Sequence, residues 1–134
     1  MSALADTSVW ITAIRRRDER FFGAVEDGDV LGCPIVTLEL LTGLRNASEL
    51  REWRALLGSL TTVTVDTRVT DRAEEVLDGL ADLRGGRHRD VPIAALLIAA
   101  CAECHGVPLW HADRHFEQIA RVTGQPQHRL TFDD

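Results

Sequence analysis

Three acidic residues stand where the predicted secondary structure changes, and their side chains could do chemistry together. Asp6 closes a short predicted strand, Asp113 follows a second one by two residues, and Glu39 lies in the first turn of a predicted helix. The carboxyl ends of parallel strands share one edge of a sheet, and ligands bind outside that edge. We therefore expect the three carboxylates to converge there, although they are far apart in sequence.

Carboxylates that converge need a cation, because they otherwise repel one another and raise each other's pKa. Oxygen ligands without His or Cys suit Mg²⁺ or Mn²⁺. Such ions can polarise a phosphodiester, activate a water molecule and stabilise the leaving oxygen. Thr7 or Ser8, which follow Asp6 directly, could hold an outer-shell water or cap the helix. The pattern indicates metal-dependent hydrolysis of a phosphodiester.

Each acid also has a purely structural explanation. Asp6 and Asp113 stand where helix N-caps are expected, and Glu39 stands where a carboxylate would face the positive end of a helix dipole. One such acid taken alone is more simply a cap than a metal ligand. Three of them on one sheet edge favour a site.

The elements that must position these acids are short apolar runs alternating with stretches of helical periodicity. We predict strands at residues 3–6, 30–33, 61–65, 107–111 and 129–132. The helices between them are predicted to begin near Ser48, near Asp66 or Thr67, and at Pro92. Strands separated by helices imply right-handed crossovers. The predicted fold is one α/β domain over residues 1–134, with three α/β/α layers around a mostly parallel sheet.

Composition excludes several other classes of protein. The 134 residues carry 15 Lys and Arg against 21 Asp and Glu, a net charge of −6, which argues against a generic nucleic-acid coat. The longest apolar run, residues 91–102, is shorter than the roughly 20 residues that span a bilayer. Three cysteines and no basic, apolar leader favour reduced thiols. We expect a cytoplasmic protein without a membrane span.

Four short motifs follow one another along almost the whole chain. They are Ala5-Asp6-Thr7-Ser8-Val9-Trp10, Thr37-Leu38-Glu39-Leu40-Leu41-Thr42-Gly43, Ile98-Ala99-Ala100 and His111-Ala112-Asp113-Arg114-His115-Phe116. Their order and spacing resemble a PIN domain, and most closely the VapC-type toxins of bacterial toxin–antitoxin modules. Each motif alone is weak, whereas four in this order are a specific pattern.

The resemblance implies a type II toxin that is a Mg²⁺- or Mn²⁺-dependent endoribonuclease cutting structured RNA such as tRNA or rRNA. It also implies a homodimer and inhibition by a cognate VapB-like antitoxin. Onto matching positions it carries Asp6, Glu39 and Asp113 as catalytic metal ligands, with Thr7 or Ser8 as a supporting hydroxyl.

Two positions depart from the family pattern. Ala95 stands three residues before Ile98, where the family usually has an aspartate, and His115 stands where it often has a second one. The chain is therefore expected to bind metal weakly and to cut RNA slowly. Ala95 is either an inactivating substitution in a toxic nuclease or the residue of a naturally weakened member. Asp90 lies in the preceding loop and could substitute, with nothing further to support it.

Basic residues offer an approach for RNA. Arg87, Arg89 and Arg114 are the candidate RNA-binding residues, with solvated helix ends as the alternative explanation. Three Trp, four Phe and no Tyr make an aromatic stacking platform an unexpected mode of recognition.

Two other functions stay open. The chain could be a catalytically silent PIN-fold module that only binds antitoxin or RNA. It could also be a PIN nuclease that matures RNA without any antitoxin.

Overall fold

Four short parallel strands form the centre of the computed structural model, which describes residues 2–132. The strands are β1 (Ala3–Ala5), β2 (Val30–Leu31), β3 (Leu109–His111) and β4 (Gln127–Arg129). They lie in the order β2-β1-β3-β4, and every pairing is parallel. The predicted α/β class is confirmed. Because all four strands run the same way, their carboxyl ends lie at one edge, which we name the carboxyl edge.

Seven helices flank the sheet in the described part of the chain. They are α1 (Thr7–Arg16), α2 (Glu19–Glu26), α3 (Pro34–Thr42), α4 (Ala47–Gly58), α5 (Thr67–Asp82), α6 (Ile93–Cys104) and α7 (Arg114–Thr123). Helices α5, α6 and α7 pack on one another, and α3 packs against α1, α4 and α6. Within residues 2–132 no helix combines the length and the apolar composition that crossing a membrane requires.

Side-chain caps set where several helices begin. The carboxylates of Asp6, Asp66 and Asp113 accept hydrogen bonds from the first backbone N–H groups of α1, α5 and α7. These groups have no partner inside the helix, so a side-chain acceptor stabilises the helix start. The cap of α4 is Asn46, not the predicted Ser48, and Asn46 Oδ1 accepts from the N–H of Glu49 at 2.9 Å.

Two predicted strands were misplaced. Residues 61–65 are rich in β-branched side chains but contribute only one isolated bridge, between Gly32 and Thr62. A Cβ on Gly32 would lie 2.7 Å from the Thr62 hydroxyl, so glycine permits this close approach. The last strand covers residues 127–129, earlier than the predicted 129–132, and its apolar continuation runs past the carboxyl edge.

A tight turn separates α1 from α2, where the sequence pattern suggests continuous helical spacing. Arg17 ends α1 in the left-handed region at φ 50°, and Asp18 caps α2 by accepting from the N–H of Phe21 at 2.8 Å. Trp10 of α1 then packs edge-on against Phe21, with ring centroids 4.9 Å apart. This aromatic contact fixes α2 beside α1, and through α1 the first acidic residue, Asp6.

Candidate functional site

Asp6 is the most enclosed of the predicted site residues. It follows β1 at the carboxyl edge, and only 3% of its surface is exposed. Its Oδ1 accepts from the N–H of Val9 at 3.2 Å, and its Oδ2 accepts from the N–H of Ser8 at 3.2 Å. The Ser8 hydroxyl donates to the same carboxylate at 2.8 Å. These bonds fix the orientation of the side chain.

Burial raises the pKa of Asp6 from 3.8 to about 6. The hydrogen bonds from Ser8 and Val9 favour the ionised form and oppose this rise, and the negative charge of Asp113 adds to it. The influence of Asp113 on this pKa means that the two carboxylates lie within electrostatic reach of each other. A cation between them would relieve both the burial cost and the repulsion.

Ser8 joins the first acidic residue to the segment that carries the second. Its hydroxyl donates to Asp6 and accepts from the backbone N–H of Ala112 at 3.2 Å. Ala112 directly precedes Asp113. The Ser8 hydroxyl therefore links Asp6 to the segment that carries Asp113. This structural link was not part of the prediction, which gave the hydroxyl an outer-shell water or a helix cap.

Asp113 caps α7 and faces two histidines. Its Oδ1 accepts from the N–H of His115 at 3.0 Å and lies 3.0 Å from the Nδ1 atom of His115. The N–H of Asp113 donates to His111 Nδ1 at 3.4 Å. Burial lowers the pKa of His111, which is 2% exposed and packs on Phe116. His111 therefore supports the site as a neutral ring.

Glu39 is hydrogen-bonded to Thr7, the residue that follows Asp6. The Thr7 hydroxyl donates to Glu39 Oε1 at 2.6 Å and links α1 to α3. Glu39 is exposed and is the sixth residue of α3, so the first-turn position predicted for it is wrong. The helix begins at Pro34, a residue favoured at this position because it lacks the N–H that would be unpaired there.

Ala95 is the third residue of α6 and is 8% exposed. The N-cap residue of this helix is Pro92, which offers no side-chain hydrogen bond to the first N–H groups. The helix packs against α3, which carries Glu39. An acidic side chain at position 95 would lie in the first helical turn, where the helix dipole favours negative charge.

The described residues do not form a complete metal site by themselves. In residues 2–132 no three His, Cys, Asp or Glu side chains are grouped closely enough to hold a metal ion. The pair Asp6 and Asp113 fits a hard cation by its oxygen donors and by the raised pKa of Asp6. A third oxygen ligand is absent at Ala95, so the predicted ligand set stays a prediction.

The three candidate RNA-binding arginines differ in their ion pairing and exposure. Arg87 forms an ion pair with Asp90, with Nη1 and Oδ2 3.2 Å apart. Because Asp90 is paired within the loop, it is a poor substitute for a metal ligand at position 95. Arg89 is exposed in the same loop. Arg114 is exposed at the start of α7, next to Asp113.

The structure contains a cavity that the sequence did not predict. It measures about 350 Å³ and lies between α2, β3, β4 and the residues that follow β4. Its lining includes Phe21, Trp110 and Phe132 together with Arg20 and His128. We name it the Trp110 cavity. The signal in the sequence was slight, because the aromatic residues are about 90 and 20 positions apart and only the sheet brings them together.

A second, smaller groove lies among the helices α1, α3 and α4. It measures about 180 Å³ and is lined by α1, α3 and α4, including Ile11, Leu40 and Trp53. Leu57 is buried in the core at 3% exposure, whereas Leu56 is 41% exposed. The apolar residues of α4 are thus divided between core and surface.

Comparison with known proteins gives a consistent result. The PIN domain family profile matches residues 3–122. Ribonuclease VapC18 of Mycobacterium tuberculosis is 37% identical over 122 residues, which cover 90% of this chain and 89% of the relative. Ribonuclease VapC21 of the same organism is 38% identical over 121 residues, which cover 87% of this chain and 81% of the relative.

Solved structures share the fold at low sequence identity. VapBC2 from Rickettsia felis, bound to a DNA fragment from its promoter, superposes with a TM-score of 0.76 at 16% identity, covering 98% of this chain and 100% of that one. DNA-bound VapBC from Salmonella typhimurium superposes with a TM-score of 0.73 at 20% identity, covering 96% and 98%.

Proposed function

We propose, from the premise that this chain belongs to the PIN-domain family and to the VapC ribonuclease toxins within it, that it cleaves structured RNA at a divalent-metal centre. The centre consists of Asp6, Glu39 and Asp113, and it is weakened by Ala95. Mg²⁺ or Mn²⁺ is the cofactor, and tRNA or rRNA is the class of substrate.

The observation that carries this proposal is the buried carboxylate of Asp6, whose pKa the negative charge of Asp113 raises further. A protein gains no stability from placing an ionised Asp6 beside Asp113 with its pKa raised to about 6. Carboxylates with such perturbed pKa values cluster at functional sites. Helix capping alone does not explain the burial of Asp6, because Asp66 caps α5 with an exposed carboxylate.

The chain's own residues would share the work. Asp6 and Asp113 would hold the cation, with Ser8 fixing the Asp6 carboxylate and the backbone before Asp113 in place. Thr7 would orient Glu39 toward the same edge. When bound, a divalent cation supplies Lewis-acid stabilisation of the charge that develops on the phosphodiester. Arg114 and Arg89 would contact phosphate groups on either side.

Ala95 is the reason to expect weak activity. It removes one carboxylate and one unit of negative charge from the first turn of α6. With fewer oxygen ligands the cation is held less tightly, so cleavage at ordinary Mg²⁺ concentration is slow. A carboxylate at this position would restore both properties.

A VapB-like antitoxin is the proposed protein partner, and a homodimer is the proposed assembly. The structural neighbours that support the antitoxin are VapBC complexes, two of them bound to DNA. The alternative of an RNA-maturation nuclease without an antitoxin is less well supported by these neighbours. Co-purification of the chain with the product of an adjacent small open reading frame tests the partnership.

The experiment on activity compares the chain with its Ala95→Asp variant on total RNA in the presence of Mn²⁺. We expect slow cleavage by the chain and faster cleavage by the variant at the same RNA sites. The matched control is Ala94→Asp, which adds the same charge one residue earlier on α6 and points it elsewhere. Adding Asp113→Asn to the Ala95→Asp variant should abolish the gain.

Two results would contradict the proposal. Cleavage that is equal in all variants and resistant to a chelator would mean that the acidic residues are not the metal centre. No cleavage by the Ala95→Asp variant, with RNA binding intact, would favour the catalytically silent binding module. That module is the second candidate function, and the lack of a three-residue metal group in residues 2–132 is the observation in its favour.

A further inference from the structure

The strand that carries Trp110 is hydrogen-bonded through its backbone to Asp6 of the proposed metal centre. The N–H of Asp6 donates to the carbonyl of Trp110 at 2.9 Å. Trp110 precedes Asp113 by three residues, which limits their Cα separation to roughly 11 Å. The N–H of Leu130, another lining residue, donates to the carbonyl of His111 at 2.8 Å. Two lining residues, Trp110 and Leu130, are therefore bonded through their backbone to Asp6 and His111.

Aromatic and apolar side chains form the inner wall of the cavity. Trp110 is half-buried in β3, Phe21 is 4% exposed in α2, and Phe132 is half-buried beyond β4. A volume of about 350 Å³ is near the lower end for ligand pockets, about 300 Å³. An indole ring at the wall of a space this small suits one planar heterocycle, and stacking on an aromatic ring is how proteins hold unpaired bases.

Polar and charged side chains also line the cavity. Arg20, His128 and Arg129 line it, together with one acidic residue, Asp18. Asp18 is already engaged as the cap of α2, and Arg129 is paired with Glu117. Arg20 is exposed and makes no ion pair or side-chain hydrogen bond with any residue in the range 2–132. A free guanidinium at the mouth of an aromatic cavity complements a phosphate attached to a base.

We propose that the Trp110 cavity is a subsite for a single nucleotide of the RNA substrate, with the base against Trp110 and its phosphate on Arg20. The role of this subsite in cleavage rests on the proposed function, but its occupancy by a nucleotide does not. It is compatible with the expectation that RNA is not recognised on an aromatic stacking platform, because it needs one base and no extended platform. The subsite would select an unpaired nucleotide of the RNA.

Nucleotide binding can be measured without cleavage by NMR. The three tryptophans lie in three different environments, so each indole N–H resonance reports on a different part of the molecule. Trp10 is in the core, Trp53 lines the smaller groove, and Trp110 lines the cavity. The probes are adenosine and uridine 5′-monophosphates, the corresponding nucleosides and inorganic phosphate, each titrated into ¹⁵N-labelled chain. We expect the monophosphates to shift the indole N–H resonance of Trp110 and to leave those of Trp10 and Trp53 in place. Inorganic phosphate alone should not shift it.

Arg20→Gln provides the second measurement. This variant should bind the monophosphates at least about five-fold more weakly while binding the nucleosides unchanged, because only the phosphate contact is lost. Arg51→Gln, an exposed arginine on α4, is the matched control and should bind like the parent chain. Trp110→Leu should lose roughly ten-fold or more for monophosphates and nucleosides alike. If that variant fails to fold, the Arg20→Gln comparison still decides the matter.

Three results would overturn the subsite. One is a Trp110 resonance that none of the monophosphates moves at millimolar concentration. Another is an equal shift of Trp53, which would mean non-specific stacking. The third is a Trp110 resonance that moves only on addition of the antitoxin, which would make the cavity a protein-docking site. If the Ala95→Asp variant cuts no RNA but the monophosphates still shift Trp110, the proposed function fails and the nucleotide site stands.

Discussion

At the scale of single residues, Asp6 connects structure and chemistry. One carboxylate caps α1, is bonded to Ser8 and lies close enough to Asp113 to feel its charge. The sequence predicted the cap, because the position of Asp6 at a strand end determines it, whereas the convergence of Asp6, Glu39 and Asp113 on a metal ion stays a prediction. It could not predict the second bond of Ser8 to Ala112, which depends on the pairing of β1 with β3.

The raised pKa of Asp6 has a measurable effect on stability. Its pKa is about 6 in the folded chain against 3.8 ordinarily, so the folded state holds the proton more tightly than the unfolded state. The contribution of Asp6 to stability is therefore complete below pH 3.8 and is lost as the pH rises toward and past 6. Relative to Asp6→Asn, the metal-free chain should lose about 2 kcal/mol between pH 4 and pH 7.

Urea unfolding in the presence of a chelator, repeated across this pH range for both proteins, checks the effect of Asp6. Asparagine keeps the cap of α1 but does not titrate, so the difference between the two curves isolates the carboxyl group. Parallel curves for the two proteins would show that Asp6 is not held at a raised pKa. Added Mn²⁺ should reduce the loss at pH 7, because a cation favours the ionised form.

At the scale of elements, close packing of helices holds α7 and its cap Asp113 in place. Gly79 of α5 faces Val122 of α7 so closely that a Cβ at position 79 would overlap the Cγ1 atom of Val122. The small residue therefore allows the two helices to approach. Asp113 begins α7, so the position of this helix determines the position of one proposed ligand.

Gly79→Ala should destabilise the chain by about 1–3 kcal/mol, because the added methyl group forces α5 and α7 apart. The matched control is Gly23→Ala in α2, where no atom lies within 4 Å of the new Cβ. That change should instead stabilise the chain by about 0.5–1 kcal/mol, since alanine loses less backbone entropy in a helix. Thermal and urea unfolding of the two variants measure both. Equal effects of the two substitutions would contradict the close packing.

The helices were easier to predict than the strands. Amphipathic spacing and capping residues mark α5 and α7, and both begin where the caps predict. Residues 61–65 have strand-like composition but pair with the sheet at one residue only, because β propensity measures how well side chains fit a sheet surface. β4 is an edge strand with exposed polar residues. The apolar residues that follow it therefore led to a predicted strand at 129–132, two residues too late.

At the scale of the whole molecule, the positions of the charged residues make the negative net charge compatible with the proposed binding of RNA. A net charge of −6 opposes RNA binding in general, but one of the acidic residues, Asp6, is buried at the proposed metal centre. Exposed arginines at positions 89 and 114 lie in the loop before α6 and at the start of α7. RNA would then approach through the arginines and meet the acids only with a cation present.

The salt dependence of RNA binding tests this approach. Arg89→Gln and Arg114→Gln should each lower the steepness of log K against log salt concentration by roughly 0.7 to 1, because each removes one phosphate contact. Fluorescence anisotropy of a labelled single-stranded RNA gives this slope without cleavage. Arg51→Gln on α4 is the control and should keep the slope of the parent chain. A slope unchanged in both test variants would place the RNA elsewhere.

The central claim, that Asp6 and Asp113 form a metal centre lacking one ligand at position 95, is tested most directly by calorimetric titration with Mn²⁺. The parent chain and the Ala95→Asp and Ala94→Asp variants are compared. We predict that Ala95→Asp binds Mn²⁺ on the order of 10- to 100-fold more tightly than the parent chain. We also predict that Ala94→Asp binds it no better than the parent. Equal affinity in all three proteins, or an equal gain in both variants, would contradict the account.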